Sequence, residues 1–235
     1  MPDRVNILVP GDDPPQTADS PHLERLQAYG DVTLHSTRPA DKEEQIERAQ
    51  GFQVIINSRG SVTWREHDMR ALPDLKMITT CSIGTDMIDL QAARELGIVV
   101  SNQPGRTAPV VAEHMFGLLF TVAKRAAFQT AEIRESLWTR RMNLGVQGKV
   151  LGIVGTGNIG AEMFRLAMPF DMKFMAHDPY ADKAVAKELG VELVDLETLA
   201  RESDVLTVNC PYNDETYQIV SADCIAMMKP TAFLI

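Results

Sequence analysis

Val150-Leu151-Gly152-Ile153-Val154-Gly155-Thr156-Gly157-Asn158-Ile159-Gly160 is the stretch on which the reading of the fold turns. Its first five residues are an unbroken apolar run, the pattern of a strand buried on both faces of a parallel sheet. The glycines that follow read GxGxxG. Gly155 permits a tight turn, Gly157 lets backbone approach a pyrophosphate, and Gly160 lets a helix pack on the strand. Ile159, Met163, Leu166, Ala167 and Phe170 then fall on one helical face, and the helix start offers free N–H groups and partial positive charge to phosphate. Thr156, Asn158 and Ile159 complete the cradle. Residues 173–178 read as a second strand ending in Asp178, 18 residues beyond Gly160. A carboxylate there can accept both hydroxyls of an adenosine ribose and repels a 2′-phosphate. No arginine follows in Pro179-Tyr180-Ala181-Asp182, which favours NAD over NADP. An accidental glycine-rich turn and an S-adenosylmethionine site are the alternatives.

Upstream, residues 5–9, 32–35, 52–57, 75–80 and 98–101 read as strands. Between them 22–29, 41–49, 63–72 and 88–96 read as helices that end at Gly30, before Gly51, at Pro73 and at Gly97. Such alternation predicts a parallel sheet with right-handed crossovers. Residues 110–127 form a long helix apolar almost all round, which predicts burial between domains or against another subunit. Residues 134–149 turn polar and basic, with Arg140-Arg141 beside Trp138, and read as an arm into the second alternating series. The expected fold is α/β, with two doubly wound parallel-sheet lobes. The first is a flavodoxin-like substrate domain over 1–101, the second a Rossmann NAD-binding domain over 102–235. The chain stops within a strand-like run, Thr231-Ala232-Phe233-Leu234-Ile235, and the second lobe is expected to be incomplete there.

Composition narrows the function classes. A formal net charge of -9 gives no general attraction to nucleic acid or anionic membranes. Cys81, Cys210 and Cys224 are too scattered for a disulfide framework or a zinc site. The apolar stretch 115–123 is too short to cross a bilayer. No signal peptide precedes the first strand, so a cytoplasmic location is the default expectation.

With these residues in hand, the chain resembles the D-isomer-specific 2-hydroxyacid dehydrogenase family. The resemblance is carried by Thr80-Cys81-Ser82-Ile83-Gly84-Thr85-Asp86-Met87-Ile88-Asp89, by Gly97 to Gly105, by Val111-Ala112-Glu113-His114 and by Cys210-Pro211-Tyr212-Asn213-Asp214-Glu215-Thr216. It implies that the amides of Ile83 and Gly84 hold the substrate carboxylate and that Arg59 faces the substrate. It also places Cys210, Pro211 and Thr216 along the adenosine. A glycine at 84 presents amides without a side chain in the way, as an anion nest requires. Ser82 and Asp86 read equally as turn caps, and Glu113 and His114 as capping or interdomain residues. Thr107 and Val110 stand where the family often has Asn and Ser. The family's catalytic arginine, glutamate and histidine would follow Ile235, so no catalytic residue is assigned within the chain and turnover is expected to be weak or absent. The expected function is hydride transfer between NAD and a small D-2-hydroxy or 2-keto acid, in a homodimeric oxidoreductase. A non-catalytic NAD-sensing or corepressor-like module on the same fold is the alternative.

Overall fold

The computed structural model describes residues 4–235, which divide into two compact units, one ending at Pro104 and the other spanning Gly105–Ile235. In the first, β1 (Val5–Val9), β2 (Gly30–Leu34), β3 (Val54–Asn57), β4 (Met77–Thr80) and β5 (Val99–Ser101) lie parallel in the order β2-β1-β3-β4-β5. Helices α1 (Leu23–Gln27), α2 (Lys42–Ala49), α3 (Glu66–Arg70) and α4 (Leu90–Glu95) make the crossovers. Strand order reverses between β1 and β3, so the loops after these strands flank a switch point, where open α/β sheets take their ligands. Leu8, Ile55, Trp64 and Ile78 form the buried centre of this unit. The Trp64 indole N–H is fully enclosed and has no hydrogen-bond partner among the described residues.

The second unit opens with α5 (Ala108–Ala123) and α6 (Ala126–Arg134). Next come β6 (Val150–Val154), α7 (Asn158–Ala167), β7 (Lys173–His177), α8 (Lys183–Glu188) and β8 (Val191–Leu193). It finishes with α9 (Leu196–Glu202), β9 (Val205–Val208), α10 (Ala222–Met227) and β10 (Phe233–Leu234). Its parallel sheet runs β10-β9-β6-β7-β8, the doubly wound Rossmann order with β6 at the centre. Leu151, Ile153, Met163, Phe164 and Val205 lie at its core, with Phe116 and Leu119 of α5 packed in.

Several sequence expectations shift, each for a tertiary reason. Gly30 does not close the first helix; it opens β2 in register with Val5. The third helix starts at Glu66 instead of Thr63, because Trp64 pairs as an isolated bridge with Ile88 and Asp68 accepts from the Arg65 amide at 2.9 Å. The long helix expected over 110–127 is two helices, broken where Arg125 adopts a left-handed conformation (φ 52°). The break is held by the returning chain: Leu144 N donates to Ala123 O (2.9 Å), Lys124 Nζ to Leu144 O (2.7 Å) and Arg125 Nε to Met142 O (3.0 Å). Within a single chain that helix is covered on one face. Ala112, Met115, Phe116 and Leu119 face the core, while Val110, Leu118 and Val122 are exposed, Val110 by 66%. Glu113 and His114 lie on its exposed side, and Thr107 is the N-cap of α5 without a side-chain bond. The expected face of α7 loses Phe170, which sits exposed in a 3₁₀ turn against the Phe116 and Phe120 rings, and gains buried Phe164. Beyond α6, Trp138 stands 77% exposed.

Candidate functional site

The phosphate-binding candidate lies at the C-terminal end of β6, between β7 and β9, the switch point of the second sheet. Gly155 takes φ 92°, and a β-carbon there would come within 2.7 Å of the Cys210 amide nitrogen. Gly160, in the first turn of α7, has no more room: a β-carbon would sit 2.3 Å from the Gly155 carbonyl oxygen. Loop, helix and the strand end at Cys210 are therefore in backbone contact. Gly157 is the N-cap of α7 and has no side chain to occupy the helix's first amides, which lack intrahelical partners. Nothing lies within 4 Å of where a β-carbon on Gly157 would be, so those amides line an open shelf.

Asp178 follows β7 directly and reaches back to this loop. Its Oδ2 accepts from the Thr156 amide at 2.7 Å and the Thr156 hydroxyl at 2.8 Å; its Oδ1 accepts from the Tyr180 amide at 2.9 Å. Burial pushes the carboxyl up, but these hydrogen bonds outweigh it and hold the group below the ordinary aspartate value. The carboxylate keeps free lone pairs for a diol. An amide shelf beside an ionised acceptor fits a pyrophosphate and a ribose, so the residues present suit a dinucleotide.

After β9, Cys210 closes against Gly155, and burial together with the Asp178 charge pushes its thiol up. Pro211 and Thr216 lie in a loop shaped by its own side chains. The Thr216 hydroxyl donates to Pro211 O, Asn213 N donates to Thr216 Oγ1 (2.9 Å), and Thr216 N donates to Asn213 Oδ1 (3.0 Å). The Thr216 hydroxyl thus shapes the loop through contacts on both sides. His177, expected at the cofactor edge or on the surface, is half-buried with Nδ1 3.1 Å from Val194 O.

In the first unit the other predicted residues cluster after β3 and β4. Ile83 and Gly84 are exposed, and neither amide donates to another group among the described residues. Thr80 Oγ1 donates to Ser82 O (2.9 Å) and Asn102 Nδ2 to Ile83 O (2.8 Å), fixing the turn from both sides. Ser82 does act within the turn, donating to Gly84 O at 3.2 Å. Arg59 is exposed in a 3₁₀ turn after β3 with φ 49°, an uncommon conformation for a residue with a side chain. The β3 and β4 loops run together: Trp64 N donates to Met87 O (2.7 Å) and Asp89 N to Trp64 O (2.9 Å).

Two features escaped the sequence reading. Asp12, after β1, is fully buried and accepts from the amides of Gln16, Thr17 and Ala18 at 2.8–3.1 Å. The Gln16 side chain in turn accepts from Ser58 Oγ at 3.0 Å, linking the β1 and β3 loops. An acidic residue in the Gly11-Asp12-Asp13-Pro14-Pro15 turn was the available signal. The second, a hydrogen bond from Tyr180 to Glu215, has no local sequence signal at all. Among the described residues no helix is long and apolar enough to cross a membrane, and no cluster of His, Cys, Asp or Glu has metal-binding geometry.

The comparisons with known proteins agree with this geometry. The sequence profile of the "D-isomer specific 2-hydroxyacid dehydrogenase, NAD binding domain" matches residues 116–235. A D-3-phosphoglycerate dehydrogenase of Methanocaldococcus jannaschii is 34% identical over 89% of this chain and 40% of its own length. A hydroxypyruvate reductase of Thermotoga maritima is 40% identical over 77% of this chain and 58% of its own. The chain thus matches about half the length of these curated relatives. Among solved structures, an acyclic imino acid reductase in complex with NADPH and D-Arg superposes with a TM-score of 0.87 at 26% identity, over 98% of this chain and 73% of that one. A profile that spans half the chain and starts within α5 leaves no place for the methyltransferase alternative. The chain belongs to the D-isomer specific 2-hydroxyacid dehydrogenase family, and residues 116–235 are its NAD-binding domain.

Proposed function

We propose that the protein is an NAD-dependent oxidoreductase acting on a small D-2-hydroxy or 2-keto acid. Gly155 to Gly160 hold the pyrophosphate, Asp178 takes the adenosine ribose, and Cys210, Pro211 and Thr216 form the wall along the adenosine. The amides of Ile83 and Gly84 receive the substrate carboxylate, and Arg59 supplies a cation to the same substrate. When bound, the dinucleotide supplies the hydride exchanged with the substrate C2. The chain's own contribution is binding and orientation. The substrate class rests on the activities for which the two relatives are named, both acting on short hydroxy or keto acids.

One observation carries the reading: the Asp178 carboxylate is tied to Thr156 inside the phosphate loop, so the sugar acceptor and the phosphate cradle form one hydrogen-bonded unit. NADH fluorescence titration tests it. Asp178→Ala should weaken NADH binding by about ten- to a hundredfold, the effect of removing a charged hydrogen-bond acceptor. Unchanged affinity, or no dinucleotide binding by the wild type, would refute the reading. A 2-keto acid such as glyoxylate should raise the unfolding temperature of the NADH complex, and Arg59→Ala should reduce that shift.

We also propose a homodimer. Val110, Leu118 and Val122 on α5 and Ile133 on α6 are exposed apolar side chains, as are Leu137 and Trp138 beyond α6. A second copy of the chain is the assigned occupant. Light scattering should find a dimer for the wild type and a monomer for Leu118→Glu.

A further inference from the structure

The loops after β7 and β9 flank the phosphate loop, because β6 lies between those two strands. One side-chain hydrogen bond joins them among the described residues: Tyr180 Oη donates to Glu215 Oε2 at 3.0 Å. Both ends are anchored. The Tyr180 amide donates to Asp178 Oδ1 at 2.9 Å, so the residue that holds Glu215 also orients the ribose acceptor. The Glu215 amide donates to Asn213 Oδ1 at 3.0 Å, within the loop that Thr216 closes. The Glu215 carboxylate raises the Tyr180 phenol above its ordinary value, first through this hydrogen bond and then through its charge, so the phenol remains a donor across the neutral range.

The charge inventory around this bridge is one-sided. Residues 178–182 and 210–217 contain Asp178, Asp182, Asp214 and Glu215, and no Lys or Arg. NAD and NADP differ only by a 2′-phosphate, which adds a charge of about -1.5 to -2 near neutral pH. Asp178 repels it from the β7 side. Glu215, held by Tyr180, is tied from the β9 side to the loop that carries Asp178.

We propose that Glu215 is a second cofactor-specificity determinant: Tyr180 positions it so that two carboxylates on opposite loops, Asp178 and Glu215, exclude the 2′-phosphate. Tyr180 is the positioning residue. The inference rests on the dinucleotide reading above and extends it.

The test is parallel titration of the full 235-residue chain with NADH and NADPH, followed by fluorescence, with no turnover needed. Glu215→Gln should leave NADH affinity within about twofold and tighten NADPH about three- to tenfold, the scale of a screened charge pair at a solvated rim. Tyr180→Phe, which keeps the ring and frees Glu215, should move the NADPH/NADH ratio the same way. Combining the two should add little, because both remove one interaction. Salt should erode discrimination in the wild type more than in Glu215→Gln. Asp178→Ala should leave part of the discrimination standing, whereas an exclusion carried by Asp178 alone would vanish. Equal changes for both nucleotides in Glu215→Gln, or an unchanged ratio in either variant, would overturn the inference while leaving NAD binding intact. A wild type that binds neither nucleotide would overturn the dinucleotide reading itself and this inference with it.

Discussion

Asp178 spends part of its hydrogen-bonding capacity on Thr156, and this sets how the site responds to pH. Its folded-state pKa is depressed, so ionisation is favoured by the fold; the stability it contributes is fully present above the ordinary value of 3.8 and is lost as pH falls through the lower folded value. NADH affinity should therefore stay level from pH 8 down to about 5 as far as Asp178 is concerned, with its loss confined to more acid conditions. Thr156→Val, which deletes the hydroxyl bond and keeps the amide bond, should weaken NADH about three- to tenfold, measured by the same titration. The place of Asp178 directly after β7 was legible in the sequence because strand, glycines and carboxylate keep a fixed spacing. Tyr180 and Glu215 were not: they are 35 positions apart, and only the sheet order brings their loops together.

At the level of elements, the contact between β6 and α7 depends on backbone atoms meeting without side chains between them. Gly160→Val would drive a branched side chain into the Gly155 carbonyl, already 2.3 Å from a β-carbon, and into the Ile153 side chain. It should abolish NADH binding and lower the unfolding temperature, whereas Gly157→Ala, with open space around it, should leave stability near that of the wild type. The strand–turn–helix unit was readable because the apolar run and the glycines obey local rules. The α5–α6 break was not, because it depends on residues 142–144 folding back to bond the carbonyl and side chains of 123–125. Val110, Leu118 and Val122 belong to a related case: apolar periodicity reports that a face prefers cover, not that its own chain supplies it.

Each unit of the whole molecule has buried clusters of its own, centred on Leu8, Ile55 and Trp64 in one and on Leu151, Ile153 and Met163 in the other. The second unit has an ionic anchor at the end of its sheet away from the phosphate loop. Asp204 accepts from Val150 N at 2.9 Å and pairs with Lys229 at 3.3 Å and Lys149 at 3.9 Å. Asp204→Ala should cost about 1–3 kcal/mol by leaving these donors unpaired, and should lower the calorimetric transition of the second unit while NADH still binds. Saturating NADH should raise that same transition, by about 2.7 kcal/mol at a hundredfold excess over Kd. The α/β architecture at this scale was legible from the alternation of short β-branched runs with helical patterns. The exact place where one unit gives way to the next was not, since that depends on which residues pack, and Gln103 N still donates to Ser82 O at 3.0 Å.

The chain's two tryptophans fall one to each unit, Trp64 enclosed and Trp138 open to solvent. The protein thus carries two intrinsic optical probes of opposite character. Trp64 should emit to the blue and resist acrylamide, while Trp138 should emit to the red and quench freely in the Leu118→Glu monomer, and be shielded where a second copy covers it. Trp138→Phe would leave an emission spectrum that reports the first unit alone, so the melting of each half can be followed by light without attaching a label.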